Sequence, residues 1–153
     1  MAVTPRWHTR EDSGIALDRD VAWFHDGERI EHPNIIEAFN RGLRVDDDGR
    51  YRLEFGNDWC FVTVARAAFR VVAVDVSEGD RLSLRLSDRT AEWLDPATLQ
   101  LDGEVLEAKV KQGRAWARFS RDAQVQLAEF LEPAADRMVL HVGAHQWPTP
   151  LSA

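Results

Sequence analysis

The sequence predicts an α+β protein built mainly on antiparallel sheet, with two helices. Three observations support this fold class. Short segments that alternate apolar and polar residues are separated by turn sequences such as Asp-Gly, as in antiparallel hairpins. Two longer segments, Pro33–Gly42 and Ser120–Glu132, carry apolar residues at helical spacing. A strand–turn–strand pattern precedes each of them, so two hairpin–helix units are predicted.

The first unit begins at Gly14, and its hairpin includes the extended segment Val21–His25. Pro33 then opens the first helix, because proline suits a first helical position where no N–H partner is needed. His32 is therefore expected near the N-cap. This helix is predicted to end around Gly42.

Four apolar segments follow and are predicted to form an antiparallel meander in the middle of the protein. They are Arg50–Phe55, Trp59–Val64, Phe69–Val76 and Arg81–Ser87.

The second unit repeats the hairpin and the helix between Ala108 and Leu131. Ser120 is a favourable N-cap, and Pro133 is expected to end this helix. Arg137–Val142 is predicted to be a last strand. A duplication and a chance similarity explain the two units equally well.

The predicted organisation is an N-terminal arm at 1–13, one α+β domain at 14–142 and a surface tail at 143–153. Within the domain, a duplication would divide the chain into units 14–76 and 81–142. A chain of 153 residues suits one compact domain of this kind.

Composition excludes several classes of function. The formal charge is −7, so the chain repels phosphate backbones and general nucleic-acid binding is not expected. No stretch approaches the ~20 apolar residues of a membrane span, and residues 1–12 lack the apolar run of a signal peptide. Cys60 is the single cysteine, which favours a reducing compartment. We therefore expect a cytoplasmic protein without membrane association.

No local motif indicates catalysis, a metal or a cofactor. His141 and His145 have a zinc-like spacing, but Gly143-Ala144 between them breaks the helical geometry that this spacing needs. His25 and Asp26 are adjacent, and neighbours on a strand point to opposite faces, so they are not expected to pair. There is neither a P-loop nor a dinucleotide fingerprint. We therefore expect no metal, no cofactor and no catalytic residues of a recognisable class.

Aromatic and charged residues near the strand ends suggest where a ligand would bind. Trp59 follows a turn at the start of a central strand, and Arg66 lies in the next turn. They are predicted to line a cleft at the junction of the two units, with Arg66 as a cation for an acidic ligand. The further candidates for ligand binding are His25, His32 and Asp58. In the alternative interpretation, Trp59 is a core residue and Arg66 is a surface residue, and neither binds a ligand.

Trp116 lies on a strand face with Arg114 and Arg118. Either this face binds a ligand through cation–π contacts, or the arginine stems flank a half-buried indole.

The first half of the chain resembles the bacterial family known as domain of unknown function 1285. The resemblance is carried by Gly14-Ile15, the Ala22–His25 strand, His32-Pro33, Phe39, and Asp48-Gly49 with Tyr51. The resemblance implies an α+β fold of two similar units and a link to bacterial signal transduction. It does not imply any enzymatic reaction. In the family pattern, two adjacent acidic residues precede the sequence alanine–proline–phenylalanine. Ala65 and Arg66 stand in place of the acids here, and Ala68 replaces the proline.

Three functional hypotheses follow. The leading one is a non-catalytic module that binds a small molecule or a protein partner. The second is an enzyme whose site combines His25 or His32 with Asp58 or Asp75. The third is an interaction protein that self-associates through a sheet edge.

Overall fold

The computed structural model describes residues 9–153, so the predicted contribution of residues 1–8 to an N-terminal arm lies outside the described residues. Within this range the chain forms two α-helices and fifteen strands in three sheets. The predicted α+β class is confirmed. Neither helix of the described range combines the length and the apolar character needed to cross a membrane.

The first sheet has the order β3-β2-β1-β6-β5-β4. Its strands are β1 (Ile15–Leu17), β2 (Trp23–His25), β3 (Glu28–Arg29), β4 (Leu43–Val45), β5 (Tyr51–Phe55) and β6 (Asp58–Val64). β1 and β6 pair in parallel at the centre, and the other pairs are antiparallel. The turn between β2 and β3 uses Asp26 and Gly27, both at positive φ, as an Asp-Gly turn requires.

Helix α1 (Pro33–Gly42) lies on this sheet. The prediction of its bounds and of its N-cap is confirmed, because His32 Nδ1 accepts a hydrogen bond from the Asn34 amide at 3.2 Å. Trp23 attaches the helix to the sheet. Its indole packs edge-on against Phe39 and donates from Nε1 to Asn40 Oδ1 at 2.8 Å.

The second sheet has the order β10-β11-β12-β7-β8-β9. Its strands are β7 (Phe69–Ser77), β8 (Arg81–Leu86), β9 (Ala91–Trp93), β10 (Gln100–Asp102), β11 (Val105–Val110) and β12 (Ala115–Phe119). β7 and β12 form its central parallel pair, and the other pairs are antiparallel. A 3₁₀ turn at Pro96–Thr98 connects β9 to β10.

The predicted central meander is wrong at its middle step. β6 and β7 belong to different sheets, and the chain crosses from one to the other at residues 65–68. Ala68 donates from its amide to the Trp116 carbonyl at 3.1 Å, and Ala67 is fully buried. The small side chains let the backbone pass between the sheets, and each sheet then gains a parallel pair. The sheets are therefore mixed and not purely antiparallel.

Helix α2 is shorter than predicted. It spans Arg121–Ala128, and the predicted N-cap Ser120 accepts from the Ala123 amide at 3.1 Å. Leu131 and Glu132, expected to be the last residues of the helix, instead begin strand β13 (Leu131–Ala134), which pairs with β14 (Arg137–Val142). Pro133 is tolerated there because β13 is an edge strand, where one N–H needs no partner in the sheet.

The predicted surface tail is also wrong. His145–Ser152 forms strand β15, which completes the third sheet in the order β13-β14-β15. Thr149 and Leu151 are buried, and the Thr149 hydroxyl donates to the Met138 carbonyl at 2.7 Å. Two prolines occupy this strand because β15 is an edge strand as well.

The duplication is not confirmed. A hairpin precedes a helix in both halves, but α1 packs on β5 while α2 packs on β7 and β12. The predicted unit 14–76 would include β7, which belongs to the second sheet. One cluster of buried apolar side chains includes members of all three sheets, among them Leu53, Leu84 and Leu140.

Candidate functional site

A cleft of about 660 Å³ opens between the first and second sheets. One wall is the end of α1 with β4. The other wall consists of the turns at the ends of β8 and β11. Residues from both sheets line it: Arg41, Leu43, Arg44, Val45, Phe69, Asp88, Thr90, Glu92, Lys111, Gln112 and Arg114. A concave junction of this size is within the usual range for a small-molecule site.

A hydrogen-bonded group of three side chains fixes one side of the cleft. Lys111 Nζ lies 2.6 Å from Asp88 Oδ2 and 2.9 Å from Thr90 Oγ1. The Thr90 hydroxyl and amide both donate to Asp88 Oδ1. Burial alone would raise the pKa of Asp88, but the hydrogen bonds from Lys111 and Thr90 outweigh it and lower the pKa. Asp88 is therefore an ionised carboxylate that neutralises Lys111 at neutral pH.

The turn that carries Lys111 is unusual in its backbone. Lys111 and Gln112 both have positive φ, at 55° and 60°, although neither is glycine, asparagine or aspartate. The Lys111 amide donates to the Glu92 carboxylate at 3.1 Å, which helps to hold this conformation. Left-handed backbone at residues of this type costs of order 1–3 kcal/mol each and is enriched at functional sites.

Three arginines form the cationic rim of the cleft. Arg114 pairs with Asp47 at 2.6 Å, and Arg44 Nε lies 3.7 Å from Glu54 Oε2. The Arg41 side chain makes no hydrogen bond or ion pair with any residue in the described range. Together with Lys111, four cationic side chains line a cleft to which, among the residues of the range 9–153, Asp88 and Glu92 bring negative charge.

Arg66, the predicted ligand cation, lies in the crossover between the sheets and not in this cleft. Its Nε donates to Glu107 Oε1 at 2.7 Å and lies 3.8 Å from Asp102 Oδ2. Arg118 and Arg19 complete the cluster through Asp102. Arg118 Nη1 donates to it at 2.9 Å, and Arg19 Nε at 2.8 Å. The hydrogen bond from Arg19 is the main cause of an Asp102 pKa of about 2, and Arg118 contributes to it.

Glu107 is the buried member of this cluster, with a side chain that is 0% exposed. Within the described range its Oε2 atom has no hydrogen-bond partner, although Arg118 Nη1 lies 3.6 Å away. The cluster joins the first sheet, through Arg19 and Arg66, to β10, β11 and β12 of the second. We assign it a structural role between the sheets.

Trp116 contacts cations other than the expected ones. Arg66 lies 5.5 Å and Lys109 lies 4.6 Å from its ring centre. Arg114 and Arg118 instead form the ion pairs described above. The indole is half-buried.

Trp59 and Asp58 lie at the far end of β6 from Arg66. Arg10 holds both of them: its Nη2 is 3.3 Å from Asp58 Oδ1, and its guanidinium lies 4.7 Å above the Trp59 ring. Trp59 lies near the start of β6, which runs on to Val64 before the crossover that carries Arg66, so ~16 Å of strand separates Trp59 from the crossover. The structure therefore does not bring them together in one cleft.

The two candidate histidines occupy separate positions. His32 caps α1, and His25 ends β2 with its Nε2 atom 3.6 Å from Asp26 Oδ2. The expectation that His25 and Asp26 do not pair is wrong, because Asp26 lies in a turn at positive φ and not on a strand. Asp58 and Asp75, the acids of the enzyme hypothesis, pair with Arg10 and Arg85.

Apart from Arg114, sequence reasoning missed the charged residues of the cleft. Asp88 and Lys111 are 23 positions apart, and their pairing depends on the approach of two turns within the second sheet. Arg41 and Arg44 come from the other sheet. The one local signal is the Lys-Gln-Gly turn after an alternating strand, which lacks the asparagine or aspartate usual at left-handed positions.

Comparisons with known proteins identify the fold. No family model matches the chain, and no curated protein matches it. A crystal structure of a DUF1285 family protein from Silicibacter pomeroyi DSS-3 is 20% identical with a TM-score of 0.67. The similarity covers 94% of this chain and 81% of that one.

A second DUF1285 family protein, from Shewanella baltica OS155, is 17% identical with a TM-score of 0.56. The similarity covers 76% of this chain and 91% of that one. The predicted resemblance to this family is confirmed as a shared fold. At these identities the similarity establishes the fold alone.

Proposed function

We propose that this protein is a non-catalytic module that binds a small anionic ligand, a carboxylate or a phosphate ester, in the cleft between its first two sheets. One observation carries the proposal. Four cationic side chains line one cleft of a chain whose net charge is −7, and the Arg41 guanidinium has no partner in the described range.

The charge balance of the cleft favours an anion. Asp88 neutralises Lys111, and Glu92 offsets one further positive charge, so Arg41, Arg44 and Arg114 leave the cleft a surplus of two positive charges. The carboxylate partners of the last two lie outside the cleft: Glu54 is 3.7 Å from Arg44, and Asp47 is fully exposed. Within the cleft, Arg44 and Arg114 donate only to neutral groups of the described residues, which are backbone carbonyls and the Gln112 side chain. Exposed ion pairs contribute little stability, so a ligand anion can replace these carboxylates at small cost. Guanidinium groups also match the two oxygens of a carboxylate or phosphate.

The lining favours binding over catalysis. No histidine, cysteine or tyrosine stands among the cleft residues drawn from the range 9–153. Two hydrogen bonds hold the Lys111 ammonium, and the lowered pKa of Asp88 leaves no proton to donate at neutral pH. General acid–base chemistry needs a group that exchanges protons near the working pH. A role in bacterial signalling, implied by the family resemblance, is compatible with a module that senses an anion.

A thermal-shift titration with inorganic phosphate, citrate and a panel of nucleotides tests the proposal. A ligand at a hundredfold excess over Kd stabilises the native state by about 2.7 kcal/mol, which raises Tm by several degrees. We expect at least one anion to do so with the parent protein. The double variant Arg41→Gln/Arg44→Gln is expected to lose most of this shift.

Arg29→Gln is the matched control, because Arg29 lies on the edge strand β3 away from the cleft. It should retain the full shift. An anion-induced shift that is equal in the double variant and in the parent would place the ligand elsewhere. A complete absence of shifts would remove the basis of the proposal.

A further inference from the structure

A second cleft, of about 310 Å³, lies between the second and third sheets. β8 and β9 form one side, and β14 and β15 form the other. Its lining consists of Arg81, Leu82, Trp93, Leu94, Asp95, Pro96, Leu140 and Trp147. No residue of this lining also belongs to the anion cleft.

The cleft combines an apolar floor with two tryptophans. Leu82, Leu94 and Leu140 are buried, while Trp93 is 56% exposed. Trp147 is half-buried. A large aromatic side chain left this exposed is more often part of a contact surface than of a core. The negatively polarised ring faces of indoles attract positively polarised groups, including the C–H bonds of a ligand ring.

Two polar groups stand at the rim with unused hydrogen-bonding capacity. The Arg81 guanidinium stacks on Trp93, 4.3 Å from the ring centre, and makes no hydrogen bond with any described residue. Asp95 Oδ1 accepts from the Ala97 amide, and Oδ2 has no partner among the described residues. Arg81 can only donate and Asp95 can only accept, whereas a hydroxyl group does both. Their charges cancel, which favours a neutral ligand.

The third sheet holds Trp147 in position. The His145 ring stacks on it at 5.6 Å between ring centres, and His145 Nδ1 lies 3.0 Å from Asp80 Oδ2. The Asp80 carboxylate fits against Gly143, where a Cβ atom would lie 2.5 Å from Asp80 Cγ. The Ala144 amide also donates to it at 3.2 Å. A wall that is already fixed lowers the entropy cost of binding a ligand.

We propose that this cleft binds one ring of a neutral saccharide. A sugar ring has an apolar C–H face for the indoles and hydroxyl groups for Arg81 and Asp95. The cleft is at the lower end of the size range for ligand sites, ~300–1,000 Å³, which suits a single ring better than an extended chain. This site is independent of the anion cleft and does not require it to be occupied.

Saturation-transfer difference NMR of the whole protein with glucose, galactose, maltose and cellobiose tests the proposal. We expect at least one sugar to bind, with its ring C–H protons receiving the strongest transfer. Trp93→Ala should weaken binding by about tenfold or more, because it removes a stacking face. Trp93 is mostly exposed, so this substitution should leave Tm unchanged, and Arg81→Ala provides a second variant with the same expected direction.

Trp59→Ala is the matched control, since Trp59 also carries a stacked arginine but lies in the first sheet. It should bind the sugar as the parent does. Equal weakening in Trp59→Ala and Trp93→Ala would overturn the assignment. So would the absence of any sugar binding at millimolar concentration, or a preference for a tetramethylammonium or proline-rich peptide probe over all four sugars.

Discussion

Glu107 lies at the junction between the first two sheets, where it pairs with Arg66. Its carboxylate is fully buried, and one of its oxygens has no hydrogen-bond donor in the described range. A buried charge is costly unless it is paired, so the bond from Arg66 Nε is the main compensation.

We predict that Arg66→Ala destabilises the protein by about 2–4 kcal/mol, because it leaves a buried carboxylate with only the 3.6 Å contact to Arg118. Urea unfolding measures the loss. Arg66→Ala/Glu107→Gln should recover part of it, since the uncompensated charge is then removed. If Arg66→Ala costs less than about 0.5 kcal/mol, as a surface substitution does, the cluster has no such role.

The lowered pKa of Asp102 should make the free energy of unfolding depend on pH. Its pKa in the folded state is about 2, below the ordinary value of 3.8, chiefly because Arg19 donates to it. A lowered carboxyl pKa stabilises the folded state above 3.8, and this contribution is lost as the pH falls from 3.8 to about 2.

The free energy of unfolding should therefore be larger for the parent than for Asp102→Asn at neutral pH, and the two should converge toward pH 2. Urea titrations across this range measure the difference. Asp136→Asn, in an exposed turn, is the matched control. A gap between the parent and Asp102→Asn that stays constant with pH would contradict the prediction.

Residue-level prediction from sequence reached Arg66 but not its partners. The sequence indicates Arg66 as a ligand cation in a turn between two apolar strands, and in the structure Arg66 lies at the junction of the sheets. Glu107 is 41 positions away and Asp102 is 36 positions away. No local pattern identifies such partners, because the pairing depends on how the two sheets meet. Ligand binding by Trp59, Arg66, His25, His32 and Asp58 remains a prediction.

At the scale of elements, α1 shows how closely a helix lies on its sheet. Gly42 ends the helix, and a Cβ atom added there would lie 2.0 Å from the Glu54 carbonyl oxygen of β5. We predict that Gly42→Ala destabilises the protein by about 1–3 kcal/mol, because the helix must move away from the strand.

Arg41→Ala is the control for this prediction, since the neighbouring residue is exposed and alanine favours helix. Its unfolding free energy should stay within about 0.5 kcal/mol of the parent. Chemical unfolding of both variants measures the difference. Equal stabilities of Gly42→Ala and the parent would show that the helix does not press on β5.

An element is predicted well from sequence when residues at its ends favour starting or stopping a helix. An element that forms by pairing with another strand is not predicted in this way. Pro33 and Gly42 were predicted as the two ends of α1, and the helix begins and ends at these residues. For α2, Leu127, Phe130 and Leu131 have helical spacing, yet the chain leaves the helix at Ala128 and Leu131 pairs with Leu140. The pairing with β14 outweighs the local pattern, which sequence alone does not reveal.

For the whole molecule, sequence predicted the α+β class but not the arrangement of the strands. Both parallel pairs join segments far apart in the chain, as in the pairing of Ala16 with Thr63. Hairpin rules describe neighbouring strands only, so the four central segments were assigned to one meander. The true crossover at residues 65–68 creates two sheets, and the cleft that we propose as an anion site lies between them.

If the inter-sheet cleft binds a small anion, residues from both of its walls must respond to the ligand together. An amide and arginine side-chain NMR titration of ¹⁵N-labelled protein with the best anion from the thermal screen measures this response. We expect saturable shifts concentrated at Arg41, Arg44, Thr90 and the Lys111–Arg114 turn. Shifts spread over all exposed arginines without saturation, or centred on Trp93 and Trp147, would contradict it.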